Sequence, residues 1–519
     1  MKLAVSSKIS KIDEYSNTLL GISIEELMDR SGAAIERVVR KKVNKGTKVV
    51  LLCGKGNNGG DAYAAAVRLF SDYDIVIYDI FSAGQKSPEG RHFREKYISL
   101  GGIIKNYSNT EETFYEIKTS SCIIDAVFGT GFHGEMPENL RPLAIAIRET
   151  VGAYKIAVDV PLGINADNGS VSDFAITVSA TVELSYIKPG IVSYPARAYV
   201  GEIFYDDLGL PMELLCEKFD FKYNTIDKKW ASQNLPIRPD NSNKGSFGKL
   251  LLITGSDKYR GAAYLTAEAS LRGGVGLVSH LGTESLSSGL VDKYPEIVYH
   301  TFSEDGEGIE KAISLSQKHA VTLIGSGSGN TDFVRQLTGE LLSTEGGALI
   351  LDADAINAIA LLGQEGIALI KNSKRKLVLT PHPLEFARLM GEDVASVQQH
   401  RLELSRRFAK ENKCILVLKG AGTIVTDGVE TYINTSGSSA LAKAGSGDVL
   451  AGLVSALAAM MDKTDLIRAV ALAVYYHGAA GDSLSENYSS YGVTPSDLPL
   501  EIARQIAKTE NEIKGYGRE

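Results

Sequence analysis

Residues 48–70 decide the fold: KVVLLC at 48–53, GKGNNGGD at 54–61 and AYAAAVRLF at 62–70. A short apolar run, a glycine-rich turn and an amphipathic stretch, in that order, make a strand–turn–helix unit. A strand so continuously apolar suits a parallel sheet covered on both faces. Similar units follow at Asp74–Ile80, Ser121–Val127 and Lys155–Val160. Before the first of them, Ser23–Arg40 has helical spacing through Ile24, Leu27, Met28, Ile35 and Val38. Ser23 sits at its cap position and Glu26 three residues on.

The alternation breaks between about Glu213 and Lys244, a stretch without clean periodicity that holds the sole tryptophan, Trp230. A second series starts at Lys249–Thr254. It continues through Gly276–His280, Val321–Ile324, Ala348–Asp352, Lys376–Thr380, Ile415–Lys419 and Gly422–Thr426. Helical patterns at Asp448–Met461, Leu466–Leu484 and Pro499–Lys508 close the chain. The fold expected is α/β: two three-layer domains, at residues 1–215 and 225–519.

Composition narrows the function. Of 519 residues, 55 are Lys or Arg and 63 Asp or Glu, a net charge of −8, which argues against a nucleic-acid partner. With 44% hydrophobic and 23% charged residues the chain is globular. No apolar run approaches the ~20 residues of a membrane span, and residues 1–15 show no cleavage signature. Cys53, Cys122, Cys216 and Cys414 lie far apart, form no zinc pattern and fit a reducing compartment. A cytoplasmic protein without membrane partner, and a homo-oligomer, are expected. Glycine is in excess, 52 residues or about a tenth of the chain.

Gly54, Gly56 and Gly59 satisfy G-x-G-x-x-G, and Asp79 stands 20 residues past Gly59, where a dinucleotide-binding acid would meet a ribose. That supports an oxidoreductase. The plainer reading is a tight turn that needs positive φ. Asn57, Asn58 and Asp61 are more polar than a pyrophosphate turn requires, and suit a hard cation or a hydrogen-bonded ligand. Two further strands end in acids: Asp125 runs into FGTG at 128–131, and Asp159 into VPLG at 160–163. In a parallel sheet these reach the carboxyl edge, where ligands bind.

GKGNNGGDA, DAVFGTG, AVDVPLG and SYIKPG (185–190) together resemble the epimerase domain of the NAD(P)HX repair family. The resemblance implies a Rossmann-like fold for residues 1–215 and epimerisation at C6 of the hydrated nicotinamide ring of NADHX and NADPHX. It implies substrate contacts from Asn57, Asn58, Gly59, Gly60 and Asp61, with Gly129, Thr130, Gly131, Phe132, His133, Gly134 and Glu135 over the phosphates. It places Asp159 at the reacting ring, Lys188 as its proton-transfer partner, and a potassium ion on Asn58, Asp125 and position 162. Where the family shows Ser, this chain has Leu162, so potassium would use backbone oxygens or bind more weakly. For Lys188 the alternative is an exposed loop lysine.

In the second domain Ala444-Gly445-Ser446-Gly447-Asp448 opens a long apolar helix. Successive backbone N–H groups and the positive helix end make a cradle for a transferring phosphoryl group, and Asp448 could take a proton from an attacking hydroxyl; alternatively it only caps the helix. Further polar loops at strand ends include RGGVGLV (272–278), GSGSG (325–329), DADAIN (352–357), TPHPLEFAR (380–388) and KGAGT (419–423). They imply one large pocket for a nucleotide and a second ligand. The set, with YYHGAAGD (475–482), resembles the ribokinase-like superfamily and, within it, the NAD(P)HX dehydratases.

This second resemblance implies that a nucleotide, ADP in preference to ATP, phosphorylates the C6 hydroxyl and that phosphate is then eliminated to restore NAD(P)H. It assigns Asp448 as base and Gly445, Ser446 and Gly447 to the phosphate. Lys419, Gly420, Ala421, Gly422 and Thr423 fall to the nucleotide, and Ala263, Gly327 and His382 to NADHX, with Mg²⁺ across the phosphates. The plainer readings make His382 a rigid turn residue, Asp352 and Asp354 caps, Lys419 a surface charge and His477 a packed core histidine. Two positions depart from the family: Lys443 replaces a common Thr, to strengthen or block phosphate binding, and Leu384 replaces a usual Gly, narrowing access beside His382. The competing function is a ribokinase-type small-molecule kinase fused to a ligand-binding domain.

Overall fold

A computed structural model describes residues 1–81, 86–461 and 465–515. The opening βα unit forms strand β1 at Lys48–Cys53, preceded by helices α1 (Ser6–Leu19) and α2 (Ile24–Lys42) and followed by α3 (Asn57–Leu69). The cap read at Ser23 is present: its side chain accepts from Glu26 N at 3.1 Å. Six more strands follow: β2 (Asp74–Asp79), β3 (Ile104–Asn106), β4 (Cys122–Ala126), β5 (Tyr154–Val158), β6 (Ala180–Leu184) and β7 (Glu202–Asp206). They pair in parallel in the order β3-β2-β1-β4-β5-β6-β7.

The period of two along β1 separates the layers. Val49, Leu51 and Cys53 enter one core with Met28, Ile35 and Ala65 of α2 and α3. Val50 and Leu52 enter the other with Ile117, Leu143 and Ile147. All four aliphatic residues of β1 are fully buried. Truncating one to alanine would cost ~2–5 kcal/mol. Helices α2 and α3 cross closely because Gly32 lies over Ala64, where a Cβ would stand 2.6 Å from its neighbour.

Lys2–Tyr223 is one compact unit and Asn224 onward, with Met1, is the other. The second sheet contains β8 (Tyr223–Ile226), β9 (Lys249–Ile253), β10 (Leu277–Gly282), β11 (Val298–Thr301), β12 (Val321–Ile324), β13 (Ala348–Leu351), β14 (Leu377–Leu379), β15 (Ile415–Leu418), β16 (Ile424–Thr426) and β17 (Thr431–Asn434). These stand in the order β8-β17-β16-β15-β14-β13-β12-β9-β10-β11. Strands β15 to β17 form an antiparallel meander at one side of a parallel array.

The apolar stretch read at Asp448–Met461 is α4 (Ser446–Met461), buried nearly all round. Its Val449, Leu453 and Leu457 pack with Leu250 and Leu252 of β9. A helix apolar on every side belongs in the core. Gly452 allows this: a Cβ there would meet Thr266 O at 2.5 Å. The following helix, α5 (Leu466–Gly492), outruns the expected end at Leu484 and breaks at Ser489. Strands β3, β6, β7, β8, β11 and β17 are not among the expected ones. They are short, and β6 carries a glutamate inside an otherwise apolar run. Among the described residues no helix is long and apolar enough to cross a membrane.

Candidate active sites at two sheet edges

The first site is a cavity of about 460 Å³ at the carboxyl edge of β1, β4, β5 and β6. Gly54, Gly59 and Gly60 are there for close approach, Gly56 faces open space, and none of the four has positive φ. A Cβ on Gly54 would lie 2.0 Å from Val127 O, and one on Gly59 2.1 Å from Gly54 O. The turn thereby starts α3 at Asn57 and aims Asn57, Asn58 and Asp61 into the cavity. Gly129, Thr130, Gly131, Phe132 and Asp159 also line it. Gly59 and Gly60 are buried in the first turn of α3. His133, Gly134 and Glu135 do not line this cavity; His133 Nδ1 faces the Asn165 amide at 3.2 Å.

Asp79, the acid that matched a dinucleotide fingerprint, is not available to a ribose. It is buried, accepts from the Tyr63 hydroxyl, and is ion-paired to Arg94 at 3.0 Å. This removes the observation on which the oxidoreductase reading rested.

Lys188 stands in the loop after β6 but is 1% exposed, so it is not the exposed loop lysine of the alternative reading. Its ammonium is ion-paired to Asp159 Oδ1, lies 3.2 Å from Glu183 Oε2 and donates to Leu184 O at 3.2 Å. Burial opposes its charge, but Asp159 and Glu183 outweigh burial and hold its pKa above the ordinary value. Asp159 adopts φ 66° with its N–H on Val182 O at 2.8 Å. Left-handed backbone is tolerated by Asp and persists where the surroundings dictate it.

Two acids of this site carried no sequence signal. Asp13 comes from α1, on the far side of the cavity, where burial and then Asp159 push its pKa up to about 6. Burial, then Asp159, likewise raise Asp61 well above the carboxylate range. Glu183 is fully buried on β6, and burial pushes it up to about 8.

Asn58 Nδ2 donates to Phe128 O at 2.7 Å, which leaves Asn58 Oδ1 buried and without a partner. Asp125 is buried, accepts from Leu162 N at 2.7 Å and Val127 N at 3.2 Å, and burial pushes it up to about 7. The Leu162 side chain is buried in the apolar layer, and its carbonyl accepts from Ile176 N at 3.0 Å.

The second site gathers at the carboxyl ends of β12 to β15 and the start of α4. Gly445 (φ 100°) turns the chain into the helix, and Asp448 stands in its first turn. Lys419 Nζ, at the end of β15, lies 3.0 Å from Asp352 Oδ1 and 3.9 Å from Glu385 Oε2. A Cβ on Gly447 would be 3.6 Å from it. Lys419 is therefore a mostly buried charge, its side chain 16% exposed, that faces the glycine loop. Asp352 stands at the cap position but makes no capping hydrogen bond; Ser326 Oγ and Thr380 Oγ1 each donate to it at 2.7 Å. Burial, then Asp352, push Asp448 up to about 7, against the pull of Lys419. Asp354 accepts from Gly329 N at 2.8 Å and pins the GSGSG loop.

His382 is a helix cap with a defined tautomer. Nδ1 accepts from Leu384 N and Glu385 N at 3.2 Å each, so the proton sits on Nε2, 3.2 Å from Glu385 Oε1. Leu384 is 42% exposed and does not fill the space beside it. Lys443 turns away from the loop, onto the carbonyls of Tyr491 (2.6 Å) and Val493, so it neither blocks nor strengthens the cradle. His477 is packed in the core and also reaches the site: Nε2 lies 3.0 Å from Ser446 O and 3.2 Å from Ser446 Oγ. Arg401, which the sequence did not point to, is buried and donates to the carbonyls of Leu418 (3.3 Å) and Lys419 (3.2 Å), bracing the KGAGT loop. In that loop Gly420 (φ 126°) and Gly422 (φ 63°) need glycine, and Thr423 Oγ1 donates to Gly420 O at 2.9 Å.

Ala263 is buried against Gly255, and Gly327 (φ 66°) against Ala262. A cavity of about 420 Å³ beside them is lined by Ser256, Tyr259, Phe302, Asn330 and Phe333; Ala263, Gly327, His382 and Asp448 do not line it.

Comparison with known proteins agrees with this division. Residues 24–190 match the profile of the YjeF-related protein N-terminus, and 250–504 that of NAD(P)H-hydrate dehydratase. The bifunctional NAD(P)H-hydrate repair enzyme Nnr of Moorella thermoacetica is 30% identical over 540 aligned positions, covering 100% of both chains. Its namesake from Escherichia coli is 31% identical, covering 94% of this chain and 90% of that one. A solved ribokinase-like superfamily protein from Enterococcus faecalis is 26% identical, with TM-score 0.50 over 56% of this chain and 98% of that one. The chain, α/β in both halves, belongs to the family of bifunctional NAD(P)H-hydrate repair enzymes.

Proposed function

We propose that the two halves of the repair reaction are divided between the two sites, with residues 1–215 as the epimerase domain and 225–519 as the dehydratase domain. The chain is a bifunctional enzyme that interconverts R- and S-NAD(P)HX and dehydrates the S form to NAD(P)H at the expense of a nucleotide.

In the first site Asp159 takes the proton of the C6 hydroxyl as the C6–N1 bond breaks to an aldehyde, its bonding pair passing to the ring nitrogen, and returns that proton when the nitrogen re-closes on the other face of the carbon; Lys188 holds Asp159 in place. A carboxylate fixed by a buried ammonium is a sound acid–base pair. Asn57, Asn58 and Asp61 orient the substrate, and the 129–135 loop covers its phosphates. Potassium fits at Asn58, because its buried Oδ1 lacks a partner. Asp125 and the Leu162 carbonyl would complete the protein ligands, and the ion would fix the 128–131 loop by neutralising these oxygens.

In the second site Asp448 takes the proton of the C6 hydroxyl as that oxygen attacks the terminal phosphorus of ADP or ATP. The N–H groups of Gly445, Ser446 and Gly447 bind the transferring phosphoryl oxygens, and residues 419–423 hold the nucleotide. The C6–O bond then breaks, inorganic phosphate leaves with the bonding pair, and a proton lost from C5 restores the double bond of NAD(P)H. Among the described residues no cluster of three or more His, Cys, Asp or Glu forms a metal site, which fits a Mg²⁺ that arrives on the nucleotide phosphates. ADP is the preferred nucleotide, and a cytoplasmic homo-oligomer the expected form.

The observation that carries this reading is the placement of Asp448, Lys419 and the glycine loop within one sheet edge. The test is a coupled assay: NADHX with ADP or ATP, followed by the absorbance of the reduced nicotinamide. Regeneration of NADH with release of phosphate is expected. No recovery with either nucleotide, or a stable phosphorylated product, would overturn it.

A further inference from the structure

Lys188 has a second carboxylate partner that the reaction does not require to touch the substrate. Glu183 is 0% exposed, lies on β6 and does not line the cavity, whereas Asp159 does. Its Oε2 is 3.2 Å from Lys188 Nζ and 3.3 Å from Lys188 N, and its Oε1 is buried without a hydrogen-bond partner. The lysine thus bridges an acid at the cavity wall and an acid sealed inside the sheet. A buried carboxylate with a bare oxygen is costly, and a plain packing role would be met better by an apolar residue.

We infer that Glu183 is a positioning residue of the epimerase site, which keeps Lys188 protonated and aimed at Asp159 at alkaline pH. The inference rests on the reading of Asp159 and Lys188 as the proton-transfer pair.

The electrostatics around the pair define what should be seen. Lys188 is faced by Asp159 and Glu183, and at longer range by Asp13 of α1 and Asp61 of α3. Glu183 is faced by Lys188, Asp159 and, from β7, Tyr205. Burial pushes Glu183 up to about 8, so below that pH it carries a proton, and glutamine imitates it well. Above that pH the wild-type residue is an anion that keeps the ammonium charged, which glutamine cannot do.

The experiment follows approach to equilibrium from pure R-NADHX, with the full chain and no nucleotide, from pH 6 to 10.5. Glu183→Gln should match wild type within about twofold at pH 6–7 and lose activity about one pH unit earlier on the alkaline side, a gap of about threefold at pH 10 that widens to about fivefold at pH 10.5. Glu183→Asp should restore part of the lost range. Superimposable profiles, or a loss equal at every pH, would overturn the inference. Should Glu183→Gln also lose dehydratase activity and so fail to fold, Lys188→Arg decides: a guanidinium stays charged, so its alkaline decline should vanish, and a decline that persists sinks the idea. If Asp159→Ala and Lys188→Ala both still epimerise above the spontaneous rate, it is the underlying pair that fails.

Discussion

Each site sets a lysine between two carboxylates, fully buried in the first and partly exposed in the second, and the two sites use the arrangement differently. In the first, the acid facing the cavity, Asp159, is itself one of the lysine's partners. In the second, Lys419 is held by Asp352 and Glu385, and the proposed base Asp448 stands apart from the pairing. Burial and the neighbouring Asp352 push Asp448 up to about 7. The first arrangement suits a site that returns a proton to the same ring. The second suits a base that must match a sugar-like hydroxyl and tolerate incoming phosphate charge.

The largest effects should come from the acids that face the ligands. Asp448→Asn should lower dehydration by about 10²–10⁴-fold and leave epimerisation of R-NADHX untouched, as measured on the same preparation. Asp159→Asn should do the reverse, and a variant that lost both reactions would break the division into two sites. Lys188→Met should cost epimerase activity at every pH and, in denaturant unfolding above about pH 8, ~3–5 kcal/mol, because it then strands two carboxylates, one fully buried.

A middling effect is expected in the pH profile of dehydration. Asp448 acts as a base only when ionised, so with its pKa raised to about 7 the rate should fall as pH drops through 7. Asp352→Asn removes a charge that raises it and should move that acid limb to lower pH. A limb that stayed in place would separate Asp448 from the chemistry. The smallest change is predicted for Lys443→Thr. Its ammonium caps the carbonyls of Tyr491 and Val493, so the nucleotide KM should stay within about twofold while stability drops by ~1 kcal/mol. A large shift in KM would return Lys443 to the anion site.

Much of this was legible in the sequence where one residue type answers to one local demand. The runs at Lys48–Cys53 and Lys249–Thr254 are the strands their apolar character marks, and Gly445 to Asp448 form the turn that opens the apolar helix α4. Legibility failed where a residue's role depends on a distant partner. Asp79 had the spacing of a ribose ligand, yet Tyr63 and Arg94 consume it. Gly54 and Gly59 suggested positive φ, yet their demand is contact with Val127 O and Gly54 O. His477 read as a core residue, and it is one that also reaches Ser446.

The sequence by itself determined two α/β units and placed their ligand loops at strand ends. Hydrophobic periodicity, glycine turns and helix starts are local properties, written within a few consecutive residues. Only the tertiary structure decided which charges meet. Lys188 lies 5 residues past Glu183 and 29 past Asp159, and Lys419 lies 67 past Asp352. A carboxylate's protonation follows from burial and from charges within a few ångströms, and those distances exist only once the sheet has assembled.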